Sequence, residues 1–68
     1  MDVRIYACPF RTGWIYCDVG VQGERVRSVH SSAAEAYQQF QHLDQPGATI
    51  QVDVAGTSLK ALREKYRP

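Results

Sequence analysis

The sequence has few of the features that identify a function directly, and each shortage excludes a class of protein. Two cysteines in 68 residues are too few for a disulfide framework, so we expect a reducing compartment. A net charge of +1 excludes the general positive field of a polybasic protein. No apolar run approaches the ~20 residues that a membrane-spanning helix needs, and the start lacks a signal-peptide apolar region. We therefore expect a complete cytoplasmic protein with no membrane partner.

The spacings that metal sites and catalytic motifs need are also missing. Cys8 and Cys17 are nine residues apart, and His30 and His42 lie far downstream, so no pair of zinc ligands has the usual spacing. No Gly-rich phosphate loop opens a helix. A chain of this length also leaves little room for a concave substrate pocket. The sequence predicts no cofactor, no bound metal and no enzymatic activity.

Charge is unevenly distributed along the chain. Residues 1–27 carry four arginines against three carboxylates, and residues 58–68 carry four cations against Glu64. Residues 28–57 have no Lys or Arg, and their three carboxylates are Glu35, Asp44 and Asp53. The chain is therefore a charge dipole in sequence, and the three central carboxylates form a candidate acidic surface.

Alternation of apolar and polar residues predicts four strands. The first two run over about 3–8 and 14–21, and a turn with Pro and Gly at residues 9–13 separates them. A short third strand is predicted at 25–29. The fourth, at 48–54, has an apolar residue at every second position. Each of these strands has one face suited to burial.

Two amphipathic helices complete the pattern. Ser32 and Glu35 form a capping box before a predicted helix at 33–43, and a second helix is predicted from 59 to about 66, with Thr57 or Ser58 as its cap. The order β-β-β-α-β-α predicts one α+β domain over residues 1–68. Because two helices can cover the apolar face of the strands, we predict a two-layer sandwich with a mostly antiparallel sheet and both helices on one face.

The first hairpin admits two registers. If Cys8 opposes Trp14, the alternating apolar residues share one face. A two-residue turn at 12–13 would instead pair Cys8 with Cys17 and permit a cross-strand disulfide, but it forces Pro9 into a paired strand, where it has no N–H to donate. We favour the first register. Its inner face comprises Val3, Ile5, Ala7, Ile15, Cys17, Val19 and Val21.

The favoured register puts an aromatic and charged set on the outer face, with Tyr6 opposite Tyr16. The set comprises Arg4, Tyr6, Cys8, Trp14, Tyr16 and Asp18, and all but Cys8 are candidate binding residues. Contiguous exposed aromatic surface usually marks an interaction site, although cross-strand aromatic pairs also stabilise hairpins that bind nothing. Asp18 and Asp53 both fall on this face, where we expect isolated carboxylates to be solvated.

A second candidate surface lies on the last predicted helix. Lys60, Arg63 and Arg67 recur at i, i+3 and i+7 and form a basic stripe beside the apolar face. Such a stripe can bind phosphates or an acidic partner, and it is also typical of a solvated face with cations at a helix C terminus.

In size, element order and charge segregation, the chain resembles the short α+β inhibitors that phages and mobile elements encode, anti-CRISPR proteins among them. The resemblance implies blockade of a nucleic-acid-handling complex. Because a chain this short buries little surface, we expect either a monomer or a homodimer, which would add buried area. The resemblance also implies that Glu35, Asp44 and Asp53 compete for a basic groove. A protein is then the expected partner.

Two alternatives stay open. The outer aromatics are suited to stacking on unpaired bases, which predicts a single-stranded nucleic-acid-binding module. The β-β-β-α-β layout is also similar to the sheet of some small antitoxin domains, which predicts a regulator.

Overall fold

The computed structural model describes residues 1–66 and shows a four-stranded sheet with two α-helices. The elements are β1 (Asp2–Ala7), β2 (Ile15–Val21), β3 (Glu24–His30), α1 (Ala33–Phe40), β4 (Thr49–Asp53) and α2 (Leu59–Tyr66). The predicted order is confirmed. A short 3-10 helix, Gln41–Leu43, continues α1, so the last three residues of the predicted helix at 33–43 are more tightly wound.

The sheet is mostly antiparallel, as predicted, with one parallel pair. Its strand order is β3-β2-β1-β4, in which β1 and β4 run parallel and the other neighbours run antiparallel. A parallel neighbour cannot be reached through a tight turn, so the chain leaves β3 through α1 before it enters β4. This connection places α1 against β1, β2 and β3.

The favoured register of the β1–β2 hairpin is confirmed. Ile5 is opposite Cys17, and the Cys8 amide donates to the Trp14 carbonyl oxygen at 2.9 Å. Pro9 therefore lies in the turn rather than in a paired strand, and Gly13 adopts a φ of +87° there, which suits glycine. Both cysteines are free thiols.

Both helices pack against one face of the sheet, which gives the two predicted layers. The buried cluster consists of Val3, Ile5, Ile15, Cys17, Ala33, Ala36, Tyr37 and Leu62. Ala7 and Val21 lie on the predicted inner face but are exposed. They are exposed because they sit at the ends of their strands, away from the helical layer, and Val19, which we expect to be buried, is half-buried.

The helix starts follow their capping residues. Ser32 Oγ accepts from the Glu35 amide at 3.1 Å, which confirms the first half of the capping box. Ser58 Oγ accepts from the Ala61 amide at 3.1 Å, so Ser58 rather than Thr57 caps α2. The Glu35 carboxylate does not return to the cap but contacts Ser31 and His30.

Candidate functional site

The outer face of the sheet, opposite α1 and α2, is the candidate functional site. Within residues 1–66 neither helix packs on it, since every contact in the core cluster is on the other face. From β3 across to β4, two rows of side chains follow from the strand registers: Val29, Tyr16, Tyr6 and Asp53, then Arg27, Asp18, Arg4 and Gln51. The register thus brings aromatic and charged residues from all four strands together.

The two central tyrosines meet edge to face. The ring centroids of Tyr6 and Tyr16 are 5.7 Å apart with an interplanar angle of 81°. The Arg4 guanidinium lies 4.5 Å from the centroid of Tyr6, and that of Arg27 lies 4.9 Å from the centroid of Tyr16. Both the T-shaped pair and the cation–π contacts are favourable geometries. The surface is therefore an interlocked layer of rings and guanidinium groups.

The β1–β2 turn adds a second pair of this kind, in which an arginine stacks on a tryptophan. Trp14 is 37% exposed, and the Arg11 guanidinium lies 4.2 Å from its ring centroid. Phe10, at the tip of the turn, is 89% exposed. Phe10 and Arg11 were not predicted as site residues, although their position in a turn between two aromatic strands was a usable signal.

Asp18 is a largely buried carboxylate that links Tyr6 and Arg27 on the outer face through hydrogen bonds. It is only 8% exposed, and it accepts from the Tyr6 hydroxyl at 2.8 Å and from Arg27 Nε at 2.9 Å. The Arg27 hydrogen bond, helped by that of Tyr6, holds the pKa of Asp18 below its ordinary value despite burial. The prediction of a solvated Asp18 is wrong, because Arg27 on the neighbouring strand covers it.

Replacing Asp18 by asparagine tests this role. The amide keeps the shape but loses the charge that pairs with Arg27, so we expect a loss of about 1–3 kcal/mol in the free energy of unfolding. Urea denaturation followed by circular dichroism measures it. The matched control is Asp53→Asn on exposed β4, which we expect to change stability by less than about 0.5 kcal/mol. Equal effects of the two changes would contradict this linking role.

The two cysteines occupy different environments. Cys17 is fully buried in the core, and burial raises the pKa of its thiol to about 11. Cys8 lies beside the turn, where the Phe10 amide donates to its sulfur at 3.4 Å. Burial acts to raise the pKa of Cys8, but the Tyr16 hydroxyl and nearby amides outweigh it and lower the pKa. The prediction of a core role for Cys17 is confirmed.

One residue of the basic stripe predicted on α2, Arg63, is ion-paired within the chain. Arg63 binds Asp44 through both arms, with Nε 2.8 Å from Oδ2 and Nη2 2.7 Å from Oδ1. Tyr37 donates to the same carboxylate at 2.7 Å. Lys60 is exposed, and Arg67 lies outside the described residues. The pairing arises because α2 packs beside the loop that follows α1.

The three candidate acidic residues do not form one surface. Asp44 is engaged by Arg63, and its side chain is largely covered. Glu35 is on the helical side of the molecule, with its carboxylate 2.6 Å from Ser31 Oγ. Asp53 is on the opposite side, on the outer face of β4. Because the sheet separates Glu35 from Asp53, the three carboxylates do not form one acidic surface that could compete for a basic groove.

The Asp44–Arg63 pair predicts a pH dependence. The hydrogen bond from Arg63 holds the pKa of Asp44 below its ordinary value, with a further contribution from Tyr37. A carboxyl with a lowered folded pKa contributes stability fully above its unfolded pKa of about 3.9 and loses it as pH falls through the folded pKa. We expect Asp44→Asn to be less stable than the parent at pH 7, and the gap to shrink below about pH 4. Urea denaturation at pH 7 and pH 3 measures this, and a constant gap would contradict it.

A Ser–His–Glu series joins the end of β3 to α1. Ser28 Oγ and His30 Nε2 are hydrogen-bonded at 2.7 Å, and His30 Nδ1 lies 3.7 Å from Glu35 Oε1. Phe40 packs edge-on against the buried imidazole at 5.9 Å. The sequence does not predict this contact, because it depends on α1 packing against β3. The series ties the last strand residues to the first turn of the helix.

Two shallow clefts lie on the helical side. One of about 880 Å³, beside α1 and α2, contains the paired Asp44 and Arg63, and one of about 390 Å³ is lined mainly by small side chains such as Ala33 and Ala61. Within residues 1–66, no three His, Cys, Asp or Glu side chains are grouped to hold a metal ion. No helix in that range is long and apolar enough to cross a membrane.

No protein-family model, curated protein or solved structure matches this chain. The positions of the side chains are therefore the basis for choosing among functions. Of the residues predicted to bind, five lie together on the outer face or at its edge: Arg4, Tyr6, Trp14, Tyr16 and Asp18. The structure adds Phe10, Arg11, Arg25 and Arg27 to this group.

Proposed function

We propose that this chain is a small binding protein that occupies the surface of a larger protein complex through the outer face of its sheet. The observation that supports this most directly is the uncovered layer of arginine and aromatic side chains on that face. Tyr, Trp and Arg are the residues that most often dominate protein–protein interfaces. The exposed Phe10 beside them supplies an apolar group that fits a partner pocket.

A protein partner suits this surface better than unpaired bases do. Tyr6 and Tyr16 are nearly perpendicular, so they do not offer a flat platform on which successive bases stack. Tyr6, Tyr16 and Trp14 each already carry a guanidinium near the ring. Asp53 also lies on this face, and the net charge of the chain is only +1. These features weaken binding to a phosphate backbone.

The proposed mode of action is inhibition by blockade. The proposed target is a nucleic-acid-handling complex of the CRISPR-defence type, and this part of the proposal is supported only by the resemblance in size, layout and charge. The outer face replaces the acidic residues as the proposed contact surface, because Glu35, Asp44 and Asp53 are separated. Blockade needs no reaction, so we propose that the protein is not an enzyme.

The Ser28–His30–Glu35 series allows the non-enzymatic proposal to be tested directly. His30 is buried under Phe40, and neither of the two clefts is lined by Ser28 or His30, so we expect no productive approach of a substrate to the serine hydroxyl. We expect hydrolysis of p-nitrophenyl acetate to be the same for the parent and for Ser28→Ala. A rate that falls with Ser28→Ala would contradict the proposal.

Hydrogen exchange locates the contact surface once a partner has been captured and purified. We expect the amides of residues 4–18 to gain protection in the complex, while those of α2 do not change. Protection confined to α1 and α2 would overturn the proposal.

A titration with labelled single-stranded DNA and RNA at moderate salt tests the alternative function. Binding tighter than about 10 μM that weakens steeply with salt would favour a nucleic-acid-binding module.

A further inference from the structure

Four arginines surround the outer face, and they divide into two kinds. Arg25 pairs with Asp2 at 3.1 Å and Arg27 pairs with Asp18 at 2.9 Å, so their charges are balanced within the chain. Arg4 and Arg11 are held differently. Each stacks on an aromatic ring, and within residues 1–66 neither has a carboxylate within ion-pair distance.

An arginine that stacks on a ring and has no acidic partner can bind an anion through its N–H groups. The ring contact restricts the side chain but leaves the N–H groups at the edge of the guanidinium available. Those groups form a planar fork that matches a carboxylate in a two-point hydrogen bond. Arg4 and Arg11 therefore present two oriented forks whose charge the chain does not neutralise.

The two forks flank the aromatic layer. Arg4 stacks on Tyr6 in the middle of β1, whereas Arg11 stacks on Trp14, which is opposite Cys8 at the turn end of the hairpin. The Arg4 guanidinium lies over Tyr6, two residues before Cys8, so the two guanidinium groups are at levels roughly 7 Å apart at about 3.3 Å per residue. The same rise separates side chains i and i+2 on one side of an extended segment, so two acidic residues with that spacing match the levels of both arginines.

We infer that the partner surface recognised by the outer face is an acidic polypeptide segment whose carboxylates pair with Arg4 and Arg11 across the aromatic layer. This inference rests on the proposed function, because it names the partner of the same face. The charge complementarity is local: within residues 1–66, Arg25 and Arg27 are paired with carboxylates, Arg4 and Arg11 are not, and Asp53 adds one negative charge to the same face. That pattern suits a few placed carboxylates better than a continuous phosphate backbone.

The single tryptophan of the chain provides a direct test. Trp14 contacts one of the two arginines, so its fluorescence reports on that part of the face without a label. The probe is poly-L-glutamate of about 20 residues at low salt and pH 7. We expect a saturable change in Trp14 fluorescence, and we expect the double variant Arg4→Gln/Arg11→Gln to bind at least tenfold more weakly.

The control is a double variant with the same loss of charge elsewhere. Lys60 and Lys65 are exposed on α2, so Lys60→Gln/Lys65→Gln should keep the affinity of the parent within about twofold. Circular dichroism checks that both variants are folded. Equal weakening by the two double variants would show general charge attraction and overturn the inference. A fluorescence trace that does not respond to poly-L-glutamate would overturn it as well.

Two further outcomes distinguish this inference from the proposed function. If a 20-nucleotide oligothymidylate binds as tightly as poly-L-glutamate and depends equally on Arg4 and Arg11, the acidic polypeptide is the wrong partner class. If a captured protein partner binds Arg4→Gln/Arg11→Gln as well as the parent but gives protection at residues 4–18, the inference fails while the proposed function stands. Protection on the helical side alone would contradict the proposed function itself.

Discussion

Replacing Ile5 by alanine is expected to remove a large part of the stability of the fold. Ile5 is 1% exposed in β1, between Cys17 of β2 and Val52 of β4. Truncation of such a buried side chain costs about 2–5 kcal/mol, since it loses the transfer free energy and leaves a cavity. A domain of this size has a total stability of roughly 3–10 kcal/mol, at about 0.05–0.15 kcal/mol per residue. Urea denaturation followed by circular dichroism gives the change in the free energy of unfolding.

Two controls define the expected size of that effect. Ile5→Val removes one methyl group and should cost about 0.5–1.5 kcal/mol. Val26→Ala truncates an aliphatic residue that is 67% exposed on β3, and we expect it to change stability by less than about 0.5 kcal/mol. If Ile5→Ala proves no more costly than Val26→Ala, the core is not centred where the structure places it.

The strands and the hairpin register could be predicted because local chemistry constrained them. Alternation of apolar residues marks one buried face, and a slip by one residue would expose the whole set. Pro9 removes the rival register, since it cannot donate within a ladder. The parallel pairing of β4 with β1 had no comparable local signal. It depends on the path of α1 across the sheet, which brings together residues almost fifty positions apart, such as Asp2 and Thr49.

The outer face could be predicted in composition but not in its ion pairing. Alternation along β2 places Asp18 on that face, as expected. Whether its carboxylate is solvated depends on which residue of β3 lies opposite, and that residue is Arg27. The Asp44–Arg63 pair shows the same limit, since it joins residues 19 positions apart through the packing of α2. In a domain this small, the sequence alone is thus a poor guide to which charged side chains are ion-paired and which remain available to bind a partner.

Replacing Trp14 by alanine is expected to weaken binding to the protein partner by about 2 kcal/mol or more, roughly thirtyfold in Kd, while the fold survives. The affinity falls because the indole is lost from the outer face and Arg11 loses the ring on which it stacks. The fold survives because Trp14 is not part of the core cluster, and its hairpin contact with Cys8 uses backbone atoms. Isothermal titration with the captured partner gives the affinity, and circular dichroism reports the folded state.

Two further variants serve as comparisons for this experiment, Trp14→Phe and Val21→Ala. Phenylalanine keeps a ring on which Arg11 can stack, so we expect an intermediate affinity. Val21 is an exposed apolar residue on the opposite face of the sheet, and its truncation should leave the affinity unchanged. If Val21→Ala weakens binding as much as Trp14→Ala, the partner does not distinguish the two faces. If Trp14→Ala unfolds the chain, Trp14 supports the fold, and the outer face is a structural layer rather than a binding surface.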